Sequence, residues 1–149
     1  MSIWWAGKVA AGLFLVLQPV LSLALDGPGP VLRPLLGAGA LMGALGSIVH
    51  LGHYVLLRRR AGALGRPRTL VTEGGLLPFV RHPMYLGDSV AILGFGLMWP
   101  TVIALVVMAL GLACAVLQAF REDRQLAHTF PEAHRAWKAK STLLVPFLF

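Results

Sequence analysis

Thr101-Val-Ile-Ala-Leu-Val-Val-Met-Ala-Leu-Gly-Leu-Ala-Cys-Ala-Val-Leu-Gln-Ala-Phe120 is an apolar run without a single charge. At about 1.5 Å of rise per residue such a run reaches roughly 30 Å as a helix, the thickness of a bilayer's hydrocarbon core. Three more apolar stretches precede it: Ile3 to Leu25, Leu35 to Leu57, and Met84 to Trp99. The third is short for a crossing, and only Pro100 parts it from the fourth, so the two read as a tight helical hairpin. Gly37, Gly39, Gly43, Ala44 and Gly46 fill the second run with small residues, which let neighbouring helices approach closely. Trp4 and Trp5 suit an interfacial anchor, and the Asp26-Gly-Pro-Gly-Pro30 turn denies regular helix. No small-residue cleavage pattern follows a short apolar core before Leu25, so the first run reads as a retained span, not a removed signal peptide. The expected fold is all-α and polytopic: about four transmembrane helices with short cytoplasmic helices at the C-terminus, in one domain over residues 1–149. An apolar share of 57% and a mean hydropathy of +0.75 exclude an ordinary soluble domain.

Charge orients the chain. Of 13 Lys and Arg, six (Arg58, Arg59, Arg60, Arg66, Arg68, Arg81) lie between the second and third runs and five (Arg121, Arg124, Arg135, Lys138, Lys140) after the fourth. Four spans put that loop and that tail on one side, which the positive-inside rule makes cytoplasmic. The net charge of +7 is not a nucleic-acid footprint, because the cations cluster at the ends of apolar segments; anionic lipid headgroups are the expected neighbours. Cys114 is the only cysteine, which excludes an intrachain disulfide or a thiolate metal site. In the tail, Glu122, Leu126, Phe130, Ala133 and Trp137 recur at helical spacing, with a break expected near residues 129–131, where Thr129-x-x-Glu132 has the form of a capping box and Pro131 starts a new helix.

Two polar clusters carry chemistry. Arg81-His82-Pro83-Met84-Tyr85-Leu86-Gly87 stands at the entry to the third run, and Arg121-Glu122-Asp123-Arg124-Gln125-Leu126 at the exit of the fourth. A hairpin brings them together. A helix starting at Pro83 would offer unsatisfied backbone N–H groups beside Arg81, a place for an anionic group such as a cofactor carboxylate. The bland alternative leaves Arg81 snorkelling and His82 capping the helix.

Taken in order, Arg81-His82-Pro83-x-Tyr85-x-Gly87, then after the intervening hairpin Glu122-Asp123-x-x-Leu126-x-x-x-Phe130-x-x-His134-x-x-Trp137, and a late Val145-Pro146, resemble the isoprenylcysteine carboxyl methyltransferase and phospholipid methyltransferase superfamily. The resemblance covers the chain from Thr72 onward. It implies an integral membrane methyltransferase that uses S-adenosylmethionine, with the cofactor in a cytoplasm-facing pocket made by the last spans and the tail. It further implies cofactor contact for Arg81, His82, Pro83, Tyr85, Gly87 and Glu122, and catalytic roles for Glu122 and His82. Three positions depart from the family pattern: Asp123 stands where a second glutamate is usual, Pro131 for a glycine and His134 for a tyrosine. Gln118 occupies the position, one turn before the glutamate, where the family's carboxyl methyltransferases have an arginine, so the implied acceptor is a neutral or amine-bearing lipid.

His50 and His53 lie three apart on the second run, followed by Tyr54. No acidic or thiol ligand accompanies them, so no metal is expected; they line an acceptor pocket, handle a proton, or hydrogen-bond between helices. Asp88 either faces the cofactor pocket or pairs with Arg81 or a histidine, and Gln118 joins the same group of substrate-pocket candidates. Expected partners are a lipophilic small-molecule substrate and membrane lipids, with no nucleic acid and the oligomeric state open. Two other classes compete: a small multi-span transporter, which would need a membrane-embedded charge for coupling, and a non-catalytic membrane subunit.

Overall fold

A computed structural model describes residues 3–25, 33–62 and 68–145. Five helices follow one another: α1 (Ile3–Leu25), α2 (Arg33–Ala61), α3 (Pro83–Met98), α4 (Val102–Thr129) and α5 (Pro131–Lys138). Among the described residues there is no strand, only an isolated parallel bridge between Val80 and Thr142. Helices α1, α2 and α4 are long and apolar enough to cross a membrane, whereas α3, largely apolar, is shorter. Their outward faces agree: Leu13, Leu17, Leu21, Leu41, Leu45, Ile48, Ile103 and Leu110 are each more than half exposed. In water such patches would aggregate; in lipid they are solvated. The chain is thus a helical membrane protein, as its composition implied.

Two helix ends differ from the apolar runs. Helix α2 continues to Ala61 and carries Arg58, Arg59 and Arg60 in its last turn, where cations meet the negative end of the helix dipole. Helix α4 runs past Phe120 to Thr129, because nothing between Arg121 and Thr129 interrupts helical hydrogen bonding until Pro131 removes a donor. The break falls where expected, but the capping box does not form: Thr129 Oγ1 donates back to the Gln125 carbonyl at 2.8 Å, and Phe130 takes the N-cap position with no side-chain bond. The Asp26–Pro30 turn, Arg66 and Pro146 lie outside the described residues.

The chain divides into two units. The first holds Met1–Ile48 and Gly87–Ala115. Leu15, Ile92 and Ala104 form its core, with Phe95, Val107, Met108 and Leu112 packed against them. Here α2 and α3 meet glycine to glycine: a Cβ on Gly94 would overlap the backbone of Gly43, and one on Gly43 would overlap the Phe95 ring. Thr101 caps α4, its Oγ1 accepting the Ala104 N–H at 3.1 Å and the Gln18 amide at 2.8 Å. Lys8 of α1 and Asp88 of α3, both largely shielded, form a salt bridge within this unit.

The second unit holds Val49–Leu86 and Val116–Phe149. Tyr85, Ala119, Leu143 and Leu144 form its core. The segment before α3 and the chain after α5 are stitched together: Arg81 N–H donates to the Thr142 carbonyl at 2.8 Å, His82 N–H to Leu143 at 3.1 Å, and Thr142 N–H to Phe79 at 2.9 Å. Trp137, 6% exposed, donates its indole N–H to the Leu77 carbonyl at 2.8 Å. The loop and the tail, the two carriers of positive charge, therefore lie together in this unit.

Candidate active site

The geometry begins at Pro83. Its fixed φ suits the first turn of α3 and leaves His82 immediately before the helix, where the His82 carbonyl accepts from the Tyr85 and Leu86 N–H groups. The His82 ring is free of any capping role and turns to Asp123, with Nε2 3.3 Å from Oδ1. Arg81 Nε donates to the same oxygen at 2.9 Å, and His134 Nε2 approaches it at 3.0 Å. Three nitrogens from three residues thus converge on one carboxylate oxygen. The second Arg81 bond, from Nη1 to the Ser141 carbonyl at 2.5 Å, commits that guanidinium to the tail.

The apolar part of α4 closes at Phe120, and Asp123 stands beyond it. Burial alone would raise the Asp123 carboxyl; the bonds from His82 and His134, with the charge and bond of Arg81, outweigh it and hold the carboxyl well below the usual carboxylate range. An ionised Asp123 accepts only, so both histidines present Nε2–H to it. For His82 this leaves Nδ1, without a protein partner among the described residues, as the nitrogen able to accept a proton when the ring is neutral.

Next to this hub, Tyr85 donates its hydroxyl to Glu122 Oε2 at 2.5 Å. Glu122 forms no ion pair with a cation among the described residues. Both line a cavity of about 540 Å³, a volume that takes in the open solvent at its mouth. Its walls are apolar, built by Leu57, Leu70, Val71, Leu77, Met84, Leu126 and Trp137, and its polar lining gathers Arg81, His82, Tyr85 and Glu122. An apolar pocket with a few convergent polar groups is the form a small-molecule site takes.

Arg81, His82, Pro83, Tyr85 and Glu122, candidates on sequence, all line this cavity. Gly87 does not: its carbonyl lies against Gly46, where a side chain would overlap it, so it serves the α2–α3 approach in the first unit. Asp88 pairs with Lys8, whereas the sequence suggested that it faces the cofactor pocket or pairs with Arg81 or a histidine. His53 is a structural group whose Nδ1 lies 2.8 Å from the Val49 carbonyl while Nε2 accepts the Leu76 N–H at 2.9 Å. That approach needs Gly75, whose φ of 55° and lack of a side chain leave room for the imidazole. His50 stacks on Tyr54 with ring centroids 6.5 Å apart. Among the described residues no group of His, Cys, Asp and Glu is arranged to hold a metal. Gln118 keeps its Oε1 buried without a hydrogen-bond partner among the described residues.

Sequence reading missed Asp123 as the organiser and Trp137 as the anchor of the tail. Asp123 and His134 stand about three helical turns apart in the sequence, a spacing that would set them on a common side of an unbroken helix. The pairing of Val80 with Thr142 left no such periodic signal. Compared with known proteins, the chain matches no family model, no curated protein and no solved structure.

Proposed function

We propose that the chain transfers a methyl group from S-adenosylmethionine to a lipophilic, membrane-soluble acceptor. The observation that carries this reading is the Tyr85–Glu122 pair, which sets a carboxylate and a phenol at an apolar-walled cavity built from both motifs of the resemblance. A carboxylate that has no cationic partner among the described residues suits a positively charged sulfonium. When bound, S-adenosylmethionine supplies a methyl carbon already activated by its sulfonium. His82, Tyr85 and Glu122 would hold it, with Pro83 and Met84 at the start of α3 and the aliphatic walls excluding water.

The residues of the chain have two tasks. The first is to hold an acceptor nucleophile in line with the methyl group that the bound cofactor would supply, with water excluded. The second is removal of a proton from an amine or phenol acceptor, for which Glu122 or His82 Nδ1 is the base. Gln118 offers no positive charge to a carboxylate, so the favoured acceptor is a neutral or amine-bearing lipid. Four crossings, counting α3 with the three longer helices, would set the basic loop and tail in the cytoplasm by the charge rule.

The test is titration of the detergent-solubilised protein with S-adenosylmethionine and S-adenosylhomocysteine. Saturable binding of both is expected. Absence of binding to either sinks the reading. A second reading, a small coupled transporter, is favoured by the buried Lys8–Asp88 pair, since a charge inside the membrane is what coupling requires. It predicts proton flux in liposomes that Asp88→Asn abolishes, with no cofactor binding.

A further inference from the structure

On α4, Leu117, Phe120, Arg121 and Arg124 line a second, open hollow of about 680 Å³ in the second unit. Successive steps of three, one and three along the chain keep them on one face of the helix. Leu117 and Phe120 are 45% and 43% exposed and belong to the apolar run, while Arg121 and Arg124 are exposed just past its end. The acidic residues between the two arginines are committed elsewhere: Glu122 receives Tyr85, and Asp123 receives Arg81, His82 and His134. Among the described residues, neither Arg121 nor Arg124 has an ion pair or a hydrogen bond. Two guanidiniums without a protein partner there stand directly above two exposed apolar side chains.

We propose that this face binds an anionic phospholipid. The headgroup phosphate would lie between the guanidiniums, whose planar forks match phosphate oxygens, and the acyl chains would lie along Leu117 and Phe120. From Leu117 to Arg124 the helix rises about 10 Å, enough to take a lipid from its upper chains to its phosphate. Charge complementarity selects the acidic headgroup, and the continuity of the apolar run selects a lipid over a free anion. Helix α4 carries Glu122 on another side, so an anchored lipid would hold the catalytic turn at a fixed depth. The lipid site rests on the membrane reading of α4 and not on methyl transfer.

The experiment reads lipid retention, with no cofactor present. The protein is placed in nanodiscs of equal phosphatidylglycerol and phosphatidylcholine, and the lipids carried with it on release are counted by native mass spectrometry. A roughly 10- to 30-fold preference for phosphatidylglycerol is expected, the order given by two cations at a membrane surface. Arg121→Ala with Arg124→Ala should bring the ratio to within about twofold of unity, while the control pair Arg58→Ala with Arg59→Ala, an equal loss of charge, leaves it high. An unselective wild type, an unchanged ratio in the first pair, or an equal fall in the control pair overturns the proposal. Displacement of the lipid by millimolar inorganic phosphate would also overturn it, since the site would then be one for anions alone.

Discussion

At Glu122 the chain places a charge where simple solvation does not explain it: the carboxylate is partly shielded, accepts the Tyr85 hydroxyl, and faces an apolar cavity. Under the proposed function, Glu122→Gln keeps the size and removes a candidate base, so methyl transfer should fall by about 10²-fold or more while the thermal midpoint hardly moves. Tyr85→Phe removes only the donor and should weaken cofactor binding by several-fold, read by the same titration. Asp123 behaves differently, because its folded carboxyl sits below the ordinary value of about 3.9. A depressed carboxyl contributes stability that is complete above the unfolded value and is lost as pH falls through the folded one. Thermal stability attributable to Asp123 should therefore be flat near neutrality and decline below about pH 4, and Asp123→Asn should be less stable at neutral pH yet lack that acid-side decline. Scanning calorimetry or dye-monitored melting across pH checks it. At this scale the sequence was informative where a residue's chemistry decides its place: Arg81, His82, Tyr85 and Glu122 all reach one cavity. Gly87 and Asp88 belong to the packing of the first unit, Gly87 against Gly46 and Asp88 paired with Lys8.

The helices differ in what their glycines do. Gly43 and Gly94 meet at the α2–α3 contact with no room for a side chain, so Gly43→Leu should force the helices apart and lower the melting temperature by many degrees. Gly52 of α2 has open space around its missing Cβ, so Gly52→Ala should be neutral or stabilising by up to about 1 kcal/mol through helix propensity. Parallel melts of both variants in one detergent distinguish packing from propensity. Helix existence was legible for the four apolar runs, which have few other stable forms, but of the two short tail helices expected only α5 stands apart, the other being the continuation of α4. Helix ends were not legible. Apolarity marks where the bilayer would stop, whereas backbone hydrogen bonding carries α4 on to Thr129 until proline intervenes.

Across the whole molecule, the cations gather in the second unit, which takes in both the basic loop and the tail. With Cys114 replaced by serine, single cysteines at Arg68 and Lys140 should react with an impermeant label from the same side of the membrane, and labelling from opposite sides would exclude the proposed topology. Charge implied that loop and tail share a side of the membrane, but the link between Val80 and Thr142 was not legible, because one bridge over so long a separation obeys no local rule. That bridge has a consequence in time. Arg81, His82 and His134 take up their places around Asp123 while Ser141, Thr142 and Leu143 hold the other side of the same segment. A nascent chain halted before Ser141 already has the Asp123 carboxylate but nothing to hold Arg81 from behind, so the cluster would settle only once the ribosome has delivered the stretch through Leu143.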